Sequence, residues 1–400
     1  MKDHKILSIV SLLLVCALVL AGCTTRSASE KAPEPTAANA PASPAPDGSQ
    51  GMPSSGSPGE EADPAPEATA EPTPEPTPEP TPEPTPAPVY YNPLTGEESE
   101  KDYGNSRPVA VMIENNRWDD FTLITQGGIS QAAIIYEMQV EKITRNMAIF
   151  MDIDQVGEIL PVRSARSYFV SAALAYDAIY VHRGQSGDGN EYANSFLQYY
   201  VDNDNIDLQE GTNAYRRQDW PYSGAVHSEA TTGELLSNFF PAAGTRMEHT
   251  APDFDYGLHF TENAAPTDGQ PANNIRIVFP ETKLSTFTYD AGKNGYTGVQ
   301  WNRPYADNNT GEAAVFQNVL VLCTYTRVGI DAHGHSAMNT VNCEGTGYFC
   351  NGGYCEPITW SRGDYNTPFR YYTADGSELE LGVGHTYIAF IDGEWSVSFP

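Results

Sequence analysis

The sequence predicts an α+β protein in two parts, a mixed α/β first part followed by a β-rich second part, and three observations carry the prediction. Between residues 107 and 153, apolar side chains recur at every second position, the period of a strand. Between 164 and 176 they recur at helical spacing. From about Phe254 onward, short alternating runs are separated by Asp-Gly pairs and other turn residues, with little helical pattern.

Taken in order, residues 107–114 predict a buried strand, because Val109, Val111 and Ile113 alternate. Residues 133–141 set Ile134, Tyr136, Met138 and Val140 against Ile135, Glu137, Gln139 and Glu141, the pattern of a half-buried strand, and 145–153 predict a third. Residues 164–176 predict a helix with Ser164 as N-cap, and 178–182 a short buried strand that ends near Gly184. Helices are predicted over 191–201 and 232–240, with Pro241 stopping the second. In the second part, strands are predicted over 275–279, 286–289, 315–325, 367–372, 378–381 and 386–391. Asp375-Gly376 and Asp392-Gly393 fit type I′ hairpin turns, which need positive φ at both central residues.

What precedes residue 89 is a different material. Lys2 and Lys5, an apolar stretch over 6–20, and Leu20-Ala21-Gly22-Cys23 form a secretory signal, too short for a span of roughly 20 apolar residues. The tetrad resembles a bacterial lipobox, which implies cleavage after residue 22 and lipid attachment to the Cys23 sulfur. The chain would then be held at the extracellular face of the cell membrane, since each buried methylene of an acyl tail contributes about 0.8 kcal/mol. Residues 23–88 are Ala, Pro, Ser, Thr, Glu and Gly with almost no large apolar side chain, so they predict a disordered stalk. Glu71-Pro72-Thr73-Pro74 repeats with a four-residue period to Pro86 and favours polyproline II. Such a stalk reaches between roughly 45 Å as a coil and roughly 200 Å when extended. The folded body is divided at residues 89–245 and 246–400.

The net charge is −30, and residues 89–400 alone hold forty acids against eighteen bases. A body of that sign is repelled by phosphate backbones and anionic leaflets, which argues against nucleic acid as a partner and leaves the lipid as the route to the membrane.

Residues 107–115 (Arg-Pro-Val-Ala-Val-Met-Ile-Glu-Asn), 128–132, 144–150, 161–166 (Pro-Val-Arg-Ser-Ala-Arg) and 176–182 together resemble the YerB-like lipoproteins of Gram-positive bacteria. Asn318-Val319-Leu320-Val321 and the stretch from Thr359-Trp360-Ser361-Arg362 to Gly382 are similar to the second domain of that family. The resemblance covers residues 92–392 and implies layered sheets flanked by helices, with no established activity.

With Cys16 in the signal and Cys23 lipidated, Cys323, Cys343, Cys350 and Cys355 remain. Outside the membrane, four cysteines within 33 residues predict two disulfides, with three possible pairings. No metal or other cofactor is predicted: Cys350 and Cys355 are spaced more loosely than a zinc knuckle, and His333-Gly334-His335 fits a polar turn over 331–336.

The body has fourteen Arg to four Lys, and five Arg but no Lys between 163 and 217. A guanidinium grips carboxylate or phosphate through two bonds, whereas an ammonium is a hydrated point charge. Arg163 and Arg166 flank a predicted helix start, where free N–H groups favour an anion, and His182 and Arg183 end a buried strand. With His227 they form the candidate ligand-binding set, against the alternative that each arginine pairs internally with one of the many acids. Catalysis would draw on His182 or His227 with Glu137 or Asp177, but no nucleophile motif such as Gly-x-Ser-x-Gly or His-Glu-x-x-His is present. The 23 tyrosines and five tryptophans could stack on sugars or simply pack the core. The expectation is a non-enzymatic binding protein for a cell-wall component or an envelope protein, with a hydrolase as the alternative.

Overall fold

The computed structural model describes residues 88–116, 126–187, 191–200, 204–217, 227–279 and 283–400. The signal, Cys23 and the stalk through residue 87 lie outside them.

From the first part come strands β1 (Val109–Asn115), β2 (Ile134–Val140) and β3 (Ile143–Phe150), helix α1 (Ser167–Leu174), strand β4 (Ile179–His182), helix α2 (Asn194–Leu197), strand β5 (Asn205–Asp207) and helix α3 (Gly233–Ala243). The second part adds β6 (Gln270–Pro271), β7 (Asn274–Val278), β8 (Leu284–Asp290), β9 (Gly295–Gln300), β10 (Asn318–Cys323), β11 (Cys343–Asn351), β12 (Tyr354–Arg362), β13 (Arg370–Tyr372), β14 (Thr386–Ile391) and β15 (Val397–Ser398). The protein is β-rich with mixed sheets, and the helices expected to flank them are a minor component.

An eleven-stranded sheet runs in the order β6-β12-β11-β10-β14-β2-β3-β1-β4-β5, with β13 also on β12. β14 lies parallel to both β10 and β2, so strands from either side of the 245/246 division share one sheet. A six-stranded sheet built around β15-β7-β8-β9 is the second large layer.

This layering explains the main departure from the strand pattern. All seven residues of β2 are buried, not half of them. Ile134, Tyr136, Met138 and Val140 share a core with Phe169 and Ala173 of α1, while Ile135 shares the other core with Ile277 and Phe287 of the six-stranded sheet. Both faces being covered, Glu137 on the second face is buried too.

Helix boundaries moved for local reasons. Helix α1 begins at Ser167 because residues 164 and 165 bond elsewhere: Ala165 N donates to Gly184 O, and Arg145 Nη1 donates to Ser164 O. Helix α2 is a single turn of four residues without a side-chain cap. In α3, Thr232 Oγ1 accepts from Leu235 N, and the helix passes Pro241 to end at Gly244, whose φ of 74° is the left-handed C-cap.

The long hairpin β11–β12 lies in the cysteine-bearing stretch, over residues for which no strand is predicted. Its two-residue turn is Gly352-Gly353, with φ of 61° and 84°, the type I′ requirement. The two expected Asp-Gly turns differ from this. At Asp375-Gly376 only Gly376 is left-handed and the closing bond runs from Thr373 N to Ser377 O; Asp392-Gly393 leads into a 3-10 turn over Glu394–Ser396.

Cys350 and Cys355 face each other across that hairpin and form a disulfide. Cys323 and Cys343 are free thiols, which corrects the expectation of two bridges. The pleat gives the reason. Cys323 belongs to the core on one face of the sheet and Cys343 packs against the core on the other. Successive side chains alternate between faces, so these two sulfurs are on opposite sides of their strands.

Candidate functional site

The antiparallel pairing of β1 and β3 sets Glu114, near the end of one, directly opposite Arg145, near the start of the other. The chain from 161 to 166 then runs along these strand ends. Pro161 O accepts from Glu114 N at 2.9 Å, Arg163 N donates to Met112 O at 3.0 Å, and Arg183 N donates to Arg163 O at 3.0 Å. That path brings Arg163 and Arg166 beside Arg145, at the N-terminal end of α1 and the carboxyl ends of β1, β2 and β4.

The counter-charges are unevenly shared. Arg163 Nε lies 3.2 Å from Glu114 Oε2, and His227 Nδ1 lies 2.7 Å from the same oxygen. Arg166 grips Glu141 Oε1 with Nε at 2.9 Å and with Nη2 at 2.5 Å. Arg183 makes longer contacts, 3.6 Å to Glu229 and 3.9 Å to Asp207. Arg145 is 5% exposed, its Nη1 donates to Ser164 O at 2.9 Å, and its Nε has no hydrogen-bond partner. Among the described residues it has no carboxylate within ion-pair distance. Burial first, then the charges of Arg166 and Arg163, pull its pKa down to about 9, against the smaller opposing pull of Glu141 and Glu114.

Sequence reasoning missed Arg145 as a site residue. The signal was present: in 145, 147, 149 the charge occupies the position that Met147 and Ile149 fill with apolar side chains. A charge on an apolar face needs a reason.

An open cleft of about 430 Å³, with Gln185, Tyr192, Asp331 and His335 on its walls, adjoins this cluster. His335 Nδ1 is 2.7 Å from Asp331 Oδ2 and its Nε2 is 3.8 Å from Glu141, the partner of Arg166. Among the described residues, no three His, Cys, Asp or Glu side chains are placed to hold a metal ion.

Other sequence candidates lie apart. His182 is fully buried, with Nδ1 2.7 Å from Gly184 O and Nε2 2.8 Å from Asn205 Oδ1. Burial lowers its pKa, so it is a neutral packed histidine and not part of an open face. Asp177 binds Arg246, Arg107 and His249, and Glu137 binds Lys283 between the two large sheets. His227 meets Glu114 instead of either acid, so the four catalytic candidates do not converge.

Residues 94–245 match the "Protein of unknown function (DUF3048) N-terminal domain", and 275–388 match its C-terminal domain. The chain belongs to the DUF3048 family. Within it, the chain is 30% identical over 239 residues to "Putative lipoprotein YerB" of Bacillus subtilis (strain 168), a match spanning 58% of this chain and 66% of that relative. The crystal structure of YerB from Bacillus subtilis superposes with a TM-score of 0.64 at 25% identity, covering 77% of this chain and 99% of that one. The DUF3048 match takes in Glu114, Arg145, Arg163 and Arg166 within its first domain. No helix among the described residues is long and apolar enough to cross a membrane.

Proposed function

We propose that this DUF3048 protein is a lipid-anchored envelope protein, attached through Cys23 to the extracellular face of the cell membrane, which binds an anionic group of a cell-wall component or an envelope partner without transforming it. The lipobox and the name of the Bacillus relative support the anchor. The proline-rich stalk then acts as a spacer for the acidic head.

One observation carries the binding half. Three guanidinium groups share two carboxylates, and the one left over, Arg145, is the most buried of the three. A buried charge without a partner is costly, so a protein keeps one where something else supplies the opposite sign. Planar guanidinium forks beside a helix N-terminus suit a phosphate or carboxylate. The scatter of His182, His227, Glu137 and Asp177 favours binding over hydrolysis.

Two experiments test the halves separately. A Cys23→Ala form is expected to leave the membrane fraction for the medium, and its retention on the membrane would contradict the anchor. For the site, thermal unfolding of the full chain is followed against inorganic phosphate and against acetate at constant ionic strength. At least one anion is expected to raise Tm in the wild type, and Arg145→Met or Arg163→Gln to abolish the rise. No response in the wild type contradicts anion binding.

A further inference from the structure

A second depression, of about 350 Å³, is walled by Glu191, Phe196, Tyr325, Arg327, Met338 and Asn339. It owes its shape to a two-stranded ribbon, Thr326–Arg327 against Ala337–Met338. The ribbon is tied down at both ends. Thr324 N donates to Ile391 O at 2.9 Å and Thr326 N to Asp392 Oδ1 at 3.2 Å, while Thr340 Oγ1 donates to Ser171 Oγ of α1 at 3.1 Å. Asn339 N donates to Tyr325 O at 3.2 Å, so these two residues are held side by side.

The backbone of Tyr325 is therefore fixed, yet the residue is 69% exposed, the highest value among the large apolar and aromatic residues described. Tyr91, Tyr199 and Tyr354 are also exposed but less so, while Tyr136, Tyr168, Tyr176, Tyr180, Tyr296, Tyr305 and Tyr387 are buried almost completely. Around Tyr325 stand groups that bind hydroxyls in pairs: the Glu191 carboxylate, the Arg327 guanidinium and the Asn339 amide. Glu191 and Arg327 pair with each other at the rim, both roughly half exposed. A solvated pair of this kind is worth little, so its two members can exchange each other for ligand hydroxyls at small cost. Phe196 and Met338 supply an apolar floor.

An aromatic face, an apolar floor and a ring of paired donors and acceptors complement a pyranose, whose C–H face is apolar and whose rim carries vicinal hydroxyls. The Glu191 carboxylate at the rim disfavours an acidic sugar, so the unit taken is uncharged. We infer that this groove is a saccharide-binding site, taking one pyranose unit of an uncharged glycan against Tyr325, with its hydroxyls on Glu191, Arg327 and Asn339. The groove reaches the start of α1 through Ser167, next to Arg166, but none of the cluster's arginines lines it.

The test titrates the full chain with tri-N-acetylchitotriose and with maltotriose, followed by calorimetry and by tyrosine fluorescence. Saturable binding of at least one is expected. Tyr325→Ala should weaken it about tenfold or more, Tyr325→Phe should keep it within about threefold because the ring remains, and Tyr354→Ala, at an exposed tyrosine outside the groove, should leave it unchanged. No binding of either saccharide up to about 10 mM, or binding undiminished in Tyr325→Ala, overturns the inference.

Discussion

Two buried cations sit on opposite sides of the large sheet, and they are treated in opposite ways. Lys283, fully buried, has its Nζ 3.1 Å from Glu137 Oε1. Glu137 also accepts from Asn115 at 2.9 Å, Thr144 at 2.5 Å, Ser285 at 3.0 Å, Gln300 at 3.2 Å, and from the Tyr387 hydroxyl. Burial raises the pKa of that carboxyl, but the charge of Lys283 and the bonds from Thr144, Tyr387 and Gln300 prevail and hold it below the ordinary range. Arg145, on the α1 side, donates to one carbonyl and lies beside two arginines, with Glu141 and Glu114 opposing them from beyond ion-pair distance. Where a buried cation has a carboxylate within ion-pair distance, the pair fixes how the layers sit together. Where none stands that close, as at Arg145, the proposed anion has a place.

The largest expected effect lies on the satisfied side. Glu137→Gln keeps the shape but strands Lys283, and should destabilise by about 3–5 kcal/mol in urea unfolding. A loss near zero would mean that the network contributes nothing to joining the sheets.

A smaller effect is expected at the sheet's other end, where Asp177 binds Arg246 at 2.7 Å and His249 at 2.9 Å. Asn tolerates the left-handed backbone there, φ 46°, so Asp177→Asn removes charge and little else and should cost about 2 kcal/mol at neutral pH. Burial opposes ionisation of Asp177, but the bonds from Arg246 and His249 and the charge of Arg107 outweigh it and lower its pKa. A depressed folded-state pKa gives stability that is complete above the unfolded value of 3.8 and fades as pH falls through the folded one. The wild-type advantage over Asp177→Asn should therefore be flat from pH 7 to about 5 and shrink below about 4. A gap that is constant down to about pH 2 would contradict this.

The smallest effect belongs to the hairpin. Cys350 and Cys355 close a loop only five residues apart in sequence, on strands already paired, so replacing both by Ala should cost at most about 2 kcal/mol. A larger loss in reduced-versus-oxidised unfolding would show that the bridge holds more than the hairpin.

These contrasts mark what could be seen in the sequence. The strands around 107–114, 133–141 and 178–182 were legible because alternation is a local signal. That both faces of β2 are covered was not, since the covering layers come from residues beyond 270. The parallel union of β14 with β2, some 250 residues away, leaves no trace in either strand. At the cluster, the arginine bias pointed to Arg163 and Arg166, whereas the burial of His182 could not be read from its place at a strand end, since a polar residue there reads alike whether packed or open. Glu114 and Arg145 carried a signal in their phase, a charge in the register of Met112 and Met147, but only the path of 161–166 along the strand ends shows that Glu114 meets Arg163 while Arg145 has no carboxylate that close.

The measurement that bears most directly on this contrast compares Arg145→Met with Lys283→Met in urea, without added anion. If Arg145 is held open for a ligand, replacing it with an apolar side chain should raise stability or lower it by less than about 2 kcal/mol, while Lys283→Met loses about 3–5 kcal/mol. Equal, large losses in both variants would contradict the account, because Arg145 would then be as much an internal strut as Lys283.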